Sequence, residues 1–227
     1  MLSFLWPALF VTLKLASLTT LILLLLGTPL AWWLARTRSV FKTPLSALVA
    51  LPMVLPPTVL GFYFLVMMGP DGPIGKLTDF LGIGSLAFTF SGLLFASVIY
   101  SLPFVVQPLQ AGFASLDPVV LDVASTLRAG PFDRFMHVVV PMCRPAFLTA
   151  TVMGFAHTVG EFGVILMVGG NIEGQTRVLS VLLYDKVEGM AYQDAHWIAA
   201  GLLAFSFMVL LVMHLYANGR HQTTRMS

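Results

Sequence analysis

Few residues in this chain are of a type that does chemistry, and their spacing argues against catalysis. His137, His157, His196, His214 and His221 are scattered over separate loops and depths, and no pair shows a metal-ligand interval, so each reads as a structural histidine. Cys143 is the only cysteine and cannot form a disulfide within the chain. Gly75-Lys76 resembles the end of a phosphate-binding loop. Pro70, however, stands where its first glycine belongs, and Leu77 where a hydroxyl must ligate magnesium. That stretch reads as an ordinary turn, no other resembles the motif, and the chain is not expected to hydrolyse ATP. What remains is Lys14 and Glu161 in apolar surroundings, together with hydroxyls such as Thr58, Ser101 and Thr158. Such groups suit weak, exchangeable contacts with a passing solute.

The segments that must position these residues are hydrophobic. Of 227 residues, 58% are hydrophobic and 10% charged, and the mean hydropathy is +0.90. These values exclude a disordered chain and are far from a soluble domain. A net charge of +2 supplies no basic patch for nucleic acid. Runs free of Asp, Glu, Lys and Arg cover 15–35, 43–70, 80–116, 145–160 and 195–219. A helix crosses a bilayer with about 20 mostly apolar residues. The runs therefore predict an all-α, polytopic membrane protein with five spans at about 9–33, 46–68, 88–111, 145–168 and 197–217. These make one transmembrane domain over 9–217, followed by a cytoplasmic tail at 218–227. Residues 1–13 lack the positive start of a signal peptide, so the first segment is expected to stay as an anchor.

Basic residues set the orientation. With the first loop in the cytoplasm, the inside set is Arg36, Arg38, Lys42, Arg128, Arg134, Arg144, Arg220 and Arg225, against Lys76, Arg177 and Lys186 outside. The positive-inside rule then selects the N-terminus out and the C-terminus in. Outside lie a Gly- and Pro-rich turn region at 69–85 and a stretch at 169–195. The latter carries an apolar run, 178–187, too short to span and read as a re-entrant or interfacial helix.

The cytoplasmic loop at about 113–144 carries the sharpest pattern. Asp117-Pro118 starts a helix, Leu121, Ala124, Thr126 and Leu127 give it a mildly apolar face, and Gly130-Pro131 breaks it. A second short helix, Phe132 to Val140, is expected to end at Pro141. By itself this helix–turn–helix is either a docking element for a soluble partner or an amphipathic linker on the membrane surface.

The loop resembles the permease subunits of binding-protein-dependent ABC importers, whose signature is E-A-A, three residues, G, nine residues, I-x-L-P. Asp122-Val123-Ala124 stands at E-A-A, and Val138-x-Val140-Pro141 at I-x-L-P. Arg128 occupies the glycine position, and Gly130, two residues later, is taken as the turn residue. Leu51-Pro52-Met53-Val54-Leu55-Pro56-Pro57-Thr58 resembles the proline-rich second span of molybdate-type permeases. Gly160-Glu161-Phe162-Gly163 resembles a motif of molybdate and sulfate permeases. The resemblance implies a non-catalytic permease subunit of a molybdate importer in a bacterial inner membrane, with the loop as coupling helix. It also implies two copies of this chain, two ATP-binding subunits that hold ATP and Mg, a periplasmic oxyanion-binding protein, and no cofactor in this chain. Sulfate, thiosulfate or tungstate permeases of the same family are the alternatives; an ion-coupled secondary transporter using Glu161 is the alternative of another class.

Pro52, Pro56 and Pro57 each remove a backbone donor, which places their segment inside the bundle either as a packing kink or as part of the pathway. Thr58, Thr158, Gly160, Glu161, Phe162 and Gly163 complete the expected pathway or gate. Depth gives a further expectation. Lys14 lies roughly 7 Å and Glu161 roughly 10 Å from the outer ends of their spans at 1.5 Å per residue. They either pair, within one subunit or across two, or Lys14 reaches the headgroups while Glu161 bonds local backbone.

Overall fold

The computed structural model describes residues 2–126 and 128–223. Leu127 of the expected coupling-helix face and residues 224–227 of the expected tail lie outside the described residues. All regular elements among the described residues are helical. In order they are α1 (Leu2–Arg36), α2 (Lys42–Val54), α3 (Pro57–Met68), α4 (Pro73–Phe80), α5 (Phe90–Ala114), α6 (Pro118–Thr126) and α7 (Pro131–Arg134). A π-helical turn (Phe135–Val139) follows, then α8 (Val140–Met142), α9 (Arg144–Gly160), α10 (Gly163–Gly169), α11 (Leu179–Glu188) and α12 (Tyr192–Thr223).

Three helices are long and apolar enough to cross a membrane unaided, over Leu5–Arg36, Phe90–Ala114 and Tyr192–Met213, and two bent pairs bring the count to five. The second expected span is not one straight helix. Pro56 and Pro57 supply no N–H, so α2 stops at Val54, and α3 with α4 leaves it at 109°. The other bent pair is Pro131–Met142 with Arg144–Gly160, at 76°, and within the expected fourth span the helix is also interrupted at Glu161-Phe162, between α9 and α10. Pro73 at the first turn of α4 lets an eight-residue helix form where the composition suggested only turn.

The core is the mutual packing of α1, α5 and α9. Leu23, Leu34, Val105, Val106, Leu109, Phe113 and Ala150 are buried there. A Cβ on Gly154 would lie 2.6 Å from a Val105 methyl, so this glycine sets how closely α9 approaches α5. On α1, Thr12 and Thr20 each donate to the carbonyl four residues back at 2.7 Å, while the buried Thr19 hydroxyl has no partner among the described residues. By contrast α12 packs mainly on α11 and α9, with Ile198 clustered with Ala8 of α1, and turns most of its apolar surface outward.

Candidate functional site

Two regions hold the residues singled out by sequence. At one end of the bundle, α6 starts as its residues require: Asp117 Oδ1 accepts the Val119 N–H at 2.9 Å. Asp122 and Val123 are exposed, while Ala124 is the one buried residue of the helix. The turn after α6 does not move to Gly130. Arg128 has φ +61°, its N–H bonds the Ser125 carbonyl at 3.1 Å, and the Ala129 N–H reaches the Ala124 carbonyl at 3.4 Å. That is a Schellman end with Arg128 at the left-handed position normally given to glycine. Gly130 instead is the extended residue before α7, with φ −66° and ψ 164°.

The next expectation is also corrected. Pro141 does not end the second helix, which continues through the π turn and α8 to Met142. Pro141 has no N–H to bond four residues back, and widening the preceding turn, with the Val140 N–H on the Phe135 carbonyl, carries the chain past it. Val139 between Val138 and Val140 is buried. The loop is seated on an aromatic cluster in which Trp32 meets Phe113 edge-on at 5.3 Å and Phe135 at 5.5 Å. Arg36 lies over Trp32 at 5.1 Å and donates to the Leu116 carbonyl at 3.4 Å, tying the loop to the ends of α1 and α5.

The second region lies deeper, where the helix breaks meet. Pro57, Thr58, Tyr100, Ala156, His157, Gly160, Glu161, Phe162 and Gly163 line an open cavity of about 550 Å³. Six of the residues expected on the pathway thus come together. Pro52 is buried in α2 away from the cavity, Pro56 is exposed beside it, and Thr158 is buried behind its wall. A Cβ on Gly163 would stand 2.8 Å from Pro57 Cβ, so the breaks in the two bent segments abut there. The Ser180 hydroxyl donates to the Glu161 carbonyl, anchoring the α9–α10 break to α11.

Tyr100 and His157 were not singled out by sequence. His157 precedes Glu161 by four residues, the helical interval that places both on one face, and that signal was available. Its Nδ1 lies 2.9 Å from Ser101 Oγ, which is 3.2 Å from Thr158 Oγ1. Within one subunit Lys14 and Glu161 do not pair. Lys14 is exposed with its Nζ 4.4 Å from the Phe90 ring centre, whereas Glu161 is 4% exposed and its carboxylate meets the Ser97 hydroxyl of α5. Depth along the membrane normal was comparable, but Lys14 lies on the outward side of α1, away from the face carrying Thr12, Leu15, Ala16 and Thr19. A larger cavity of about 690 Å³ between α1 and α12 is walled mostly by apolar groups such as Leu9, Trp197 and Leu202, and its one hydroxyl, Thr12, is already engaged with the Ala8 carbonyl and the Leu179 N–H.

Residues 27–220 match the family described as binding-protein-dependent transport system inner membrane component. The molybdenum transport system permease protein ModB of Azotobacter vinelandii is 64% identical over 203 residues, covering 89% of this chain and 90% of that one. ModB of Escherichia coli (strain K12) is 35% identical, covering 81% and 80%. A probable sulfate transport system permease protein, cysT of Zygnema circumcarinatum, is also 35% identical, covering 95% and 74%. Among solved structures, a bacterial alginate ABC transporter in complex with an alginate pentasaccharide-bound periplasmic protein matches with TM-score 0.73 at 18% identity, over 99% of this chain and 80% of that one. The inward-facing MetNI methionine ABC transporter matches with TM-score 0.69 at 14% identity, over 96% and 97%. At these identities the structural likeness concerns the fold.

Proposed function

This chain belongs to the family of binding-protein-dependent transport system inner membrane components, and from that premise we propose that it is the membrane permease of an ATP-driven molybdate importer. The observation that carries this reading is the 64% identity with a molybdenum transport permease over 89% of the chain. The cavity supports it: hydroxyls, an imidazole and helix breaks offer exchangeable contacts to an anion without a fixed cation that would hold it. The sulfate reading rests on a relative at 35% identity. The ion-coupled alternative has no support from the family.

The working unit we infer is two copies of this chain with two ATP-binding subunits, which hold ATP and Mg, fed by a periplasmic oxyanion-binding protein. Closing a path between two identical chains is the symmetric solution. The family reading supports a bacterial inner membrane, and the distribution of eight and three basic residues supports the N-terminus outside and the C-terminus inside. In that orientation the α6–α8 loop faces the cytoplasm and is the docking element, with Asp122 and Val123 outward. Uptake of labelled molybdate by cells expressing the full transporter, challenged with tungstate and sulfate, tests the substrate; sulfate competing as well as molybdate does would overturn it. Copurification of the ATP-binding subunit with Ala124→Arg tests the docking, and undiminished recovery would refute it.

A further inference from the structure

The polar relay behind the cavity wall has a definite proton count. Thr158 Oγ1 donates its only hydrogen to the Gly154 carbonyl at 2.9 Å. It can therefore only accept from Ser101, 3.2 Å away. Counting all three contacts as hydrogen bonds spends the Ser101 hydrogen on Thr158 and assigns Nδ1 as the donor of the 2.9 Å contact between Ser101 Oγ and His157 Nδ1. Ser101 is 0% and Thr158 2% exposed, which keeps bulk water from offering the relay other partners. The ring itself is held by stacking on Phe104, with centres 3.8 Å apart, and by Tyr100 at 5.0 Å. With Nδ1 engaged, the Nε2 edge of the ring is the one left for the cavity that His157 lines.

In a neutral ring so arranged, Nε2 carries a lone pair. A tetrahedral oxyanion offers only acceptors and gains nothing from it. One added proton on Nε2 leaves the whole relay intact and turns the same edge into a charge-assisted donor. We propose that His157 is the residue that hydrogen-bonds the oxyanion in transit, and that it does so with a proton taken up on Nε2. The proton comes from the aqueous cavity and returns to it when the anion leaves, so no charge remains to trap the solute. The groups that face this ring or line its cavity are few. Tyr100 comes from α5 and Glu161 from the end of α9, while α3 and α10 carry no charged residue. From α11, the Tyr184 ring meets Phe162 at 5.0 Å while its hydroxyl donates to the Glu188 carboxylate, and on α1 Lys14 is turned outward over Phe90. This inference rests on the permease reading above.

The test is molybdate import into proteoliposomes holding the complete transporter with its loaded binding protein, expressed per ATP hydrolysed so that the pH response of the ATPase cancels. Wild type should import less per ATP as the medium is made alkaline, by up to roughly tenfold per pH unit beyond the midpoint. His157→Phe, which keeps the ring stack, should lose roughly tenfold or more at the acid end of the profile, where the donor to a charged ligand is gone, and the gap to wild type should close as the medium is made alkaline. His157→Gln, whose amide donates without titrating, should recover part of that loss and show a flat profile. Thr158→Val tests the proton count itself. With its acceptor removed, Ser101 must donate to Nδ1, the neutral ring carries its hydrogen on Nε2, and the profile should flatten with His157 still present. Import by His157→Phe at the wild-type ratio at the acid end, or an unaltered alkaline fall in Thr158→Val, overturns the inference while leaving the permease reading standing. A wild-type complex that imports no molybdate removes both.

Discussion

The hydroxyl of Thr12 accepts the backbone N–H of Leu179, 167 positions later, at 2.9 Å. Leu179 is the first residue of α11, so this N–H is one of the donors that a helix start leaves without an internal partner. The same hydroxyl donates to the Ala8 carbonyl, which makes Thr12 a two-way joint between the first span and the short helix of the 169–195 stretch. Thr12→Val should destabilise the protein by about 1–3 kcal/mol because the Leu179 N–H is stranded. Thermal unfolding in detergent should show this, and Thr12→Ser should restore the wild-type midpoint.

Arg128 holds a backbone conformation that costs a side-chain-bearing residue about 1–3 kcal/mol. Arg128→Gly should therefore stabilise the α6 turn, by about 1 kcal/mol where the exposed side chain contributes nothing else. Gly130→Ala should be nearly silent, because Gly130 is at negative φ and a Cβ there meets nothing within 4 Å. Resistance of the loop to proteolysis distinguishes the two variants.

Because Lys14 and Glu161 are apart within the chain, reversing both charges should not rescue either single reversal. Glu161→Lys should abolish assembly, since it buries an unpartnered cation at a site 4% exposed. Lys14→Gln should reduce import less than about threefold, the scale of an exposed contact with one aromatic ring. Recovery of import by the double reversal would instead establish a pair across the two copies.

Gly163 touches Pro57 so closely that a Cβ must displace one of the two helix breaks. Gly163→Ala should cut molybdate import severalfold while the folded dimer and its ATPase partner are still recovered, and Gly163→Val should be worse. Equal import by both variants would show that the spacing does not matter to passage.

Cysteines placed at Asp79 and Glu173, both exposed, should react in intact cells with a membrane-impermeant maleimide. A cysteine at the exposed Arg128 should react only after permeabilisation. The opposite pattern would invert the proposed orientation.

Charge-free runs were enough to find the three helices that are long and apolar enough to cross a membrane unaided, because the bilayer imposes one requirement on every such span and composition reports it directly. The breaks were less legible. Pro56-Pro57 announces an interrupted helix, yet how sharply α3 turns from α2 depends on the packing of α3 against α10, set by Gly61 beneath Met167. The coupling-loop spacing located Arg128 in the glycine slot, but local preference pointed to Gly130. The structure sides with the spacing because the Schellman hydrogen bonds are counted from the end of α6, not from the nearest glycine. His157 read as structural because no second histidine stands at a metal-ligand interval from it; its actual partners, Ser101 and Phe104, are more than fifty positions away, and no window along the chain brings them together.

The abutting breaks at Pro57 and Gly163 also have a mechanical meaning. The 17-residue helix α9 joins the aromatic seat of the α6–α8 loop to that contact, and at 1.5 Å per residue it is a stiff arm about 25 Å long. An arm of that length tilted by about 5° at one end travels about 2 Å at the other. That is more than the radius of a water molecule, so a tilt too small to break any hydrogen bond in the helix suffices to wet or to seal the bearing between the two breaks.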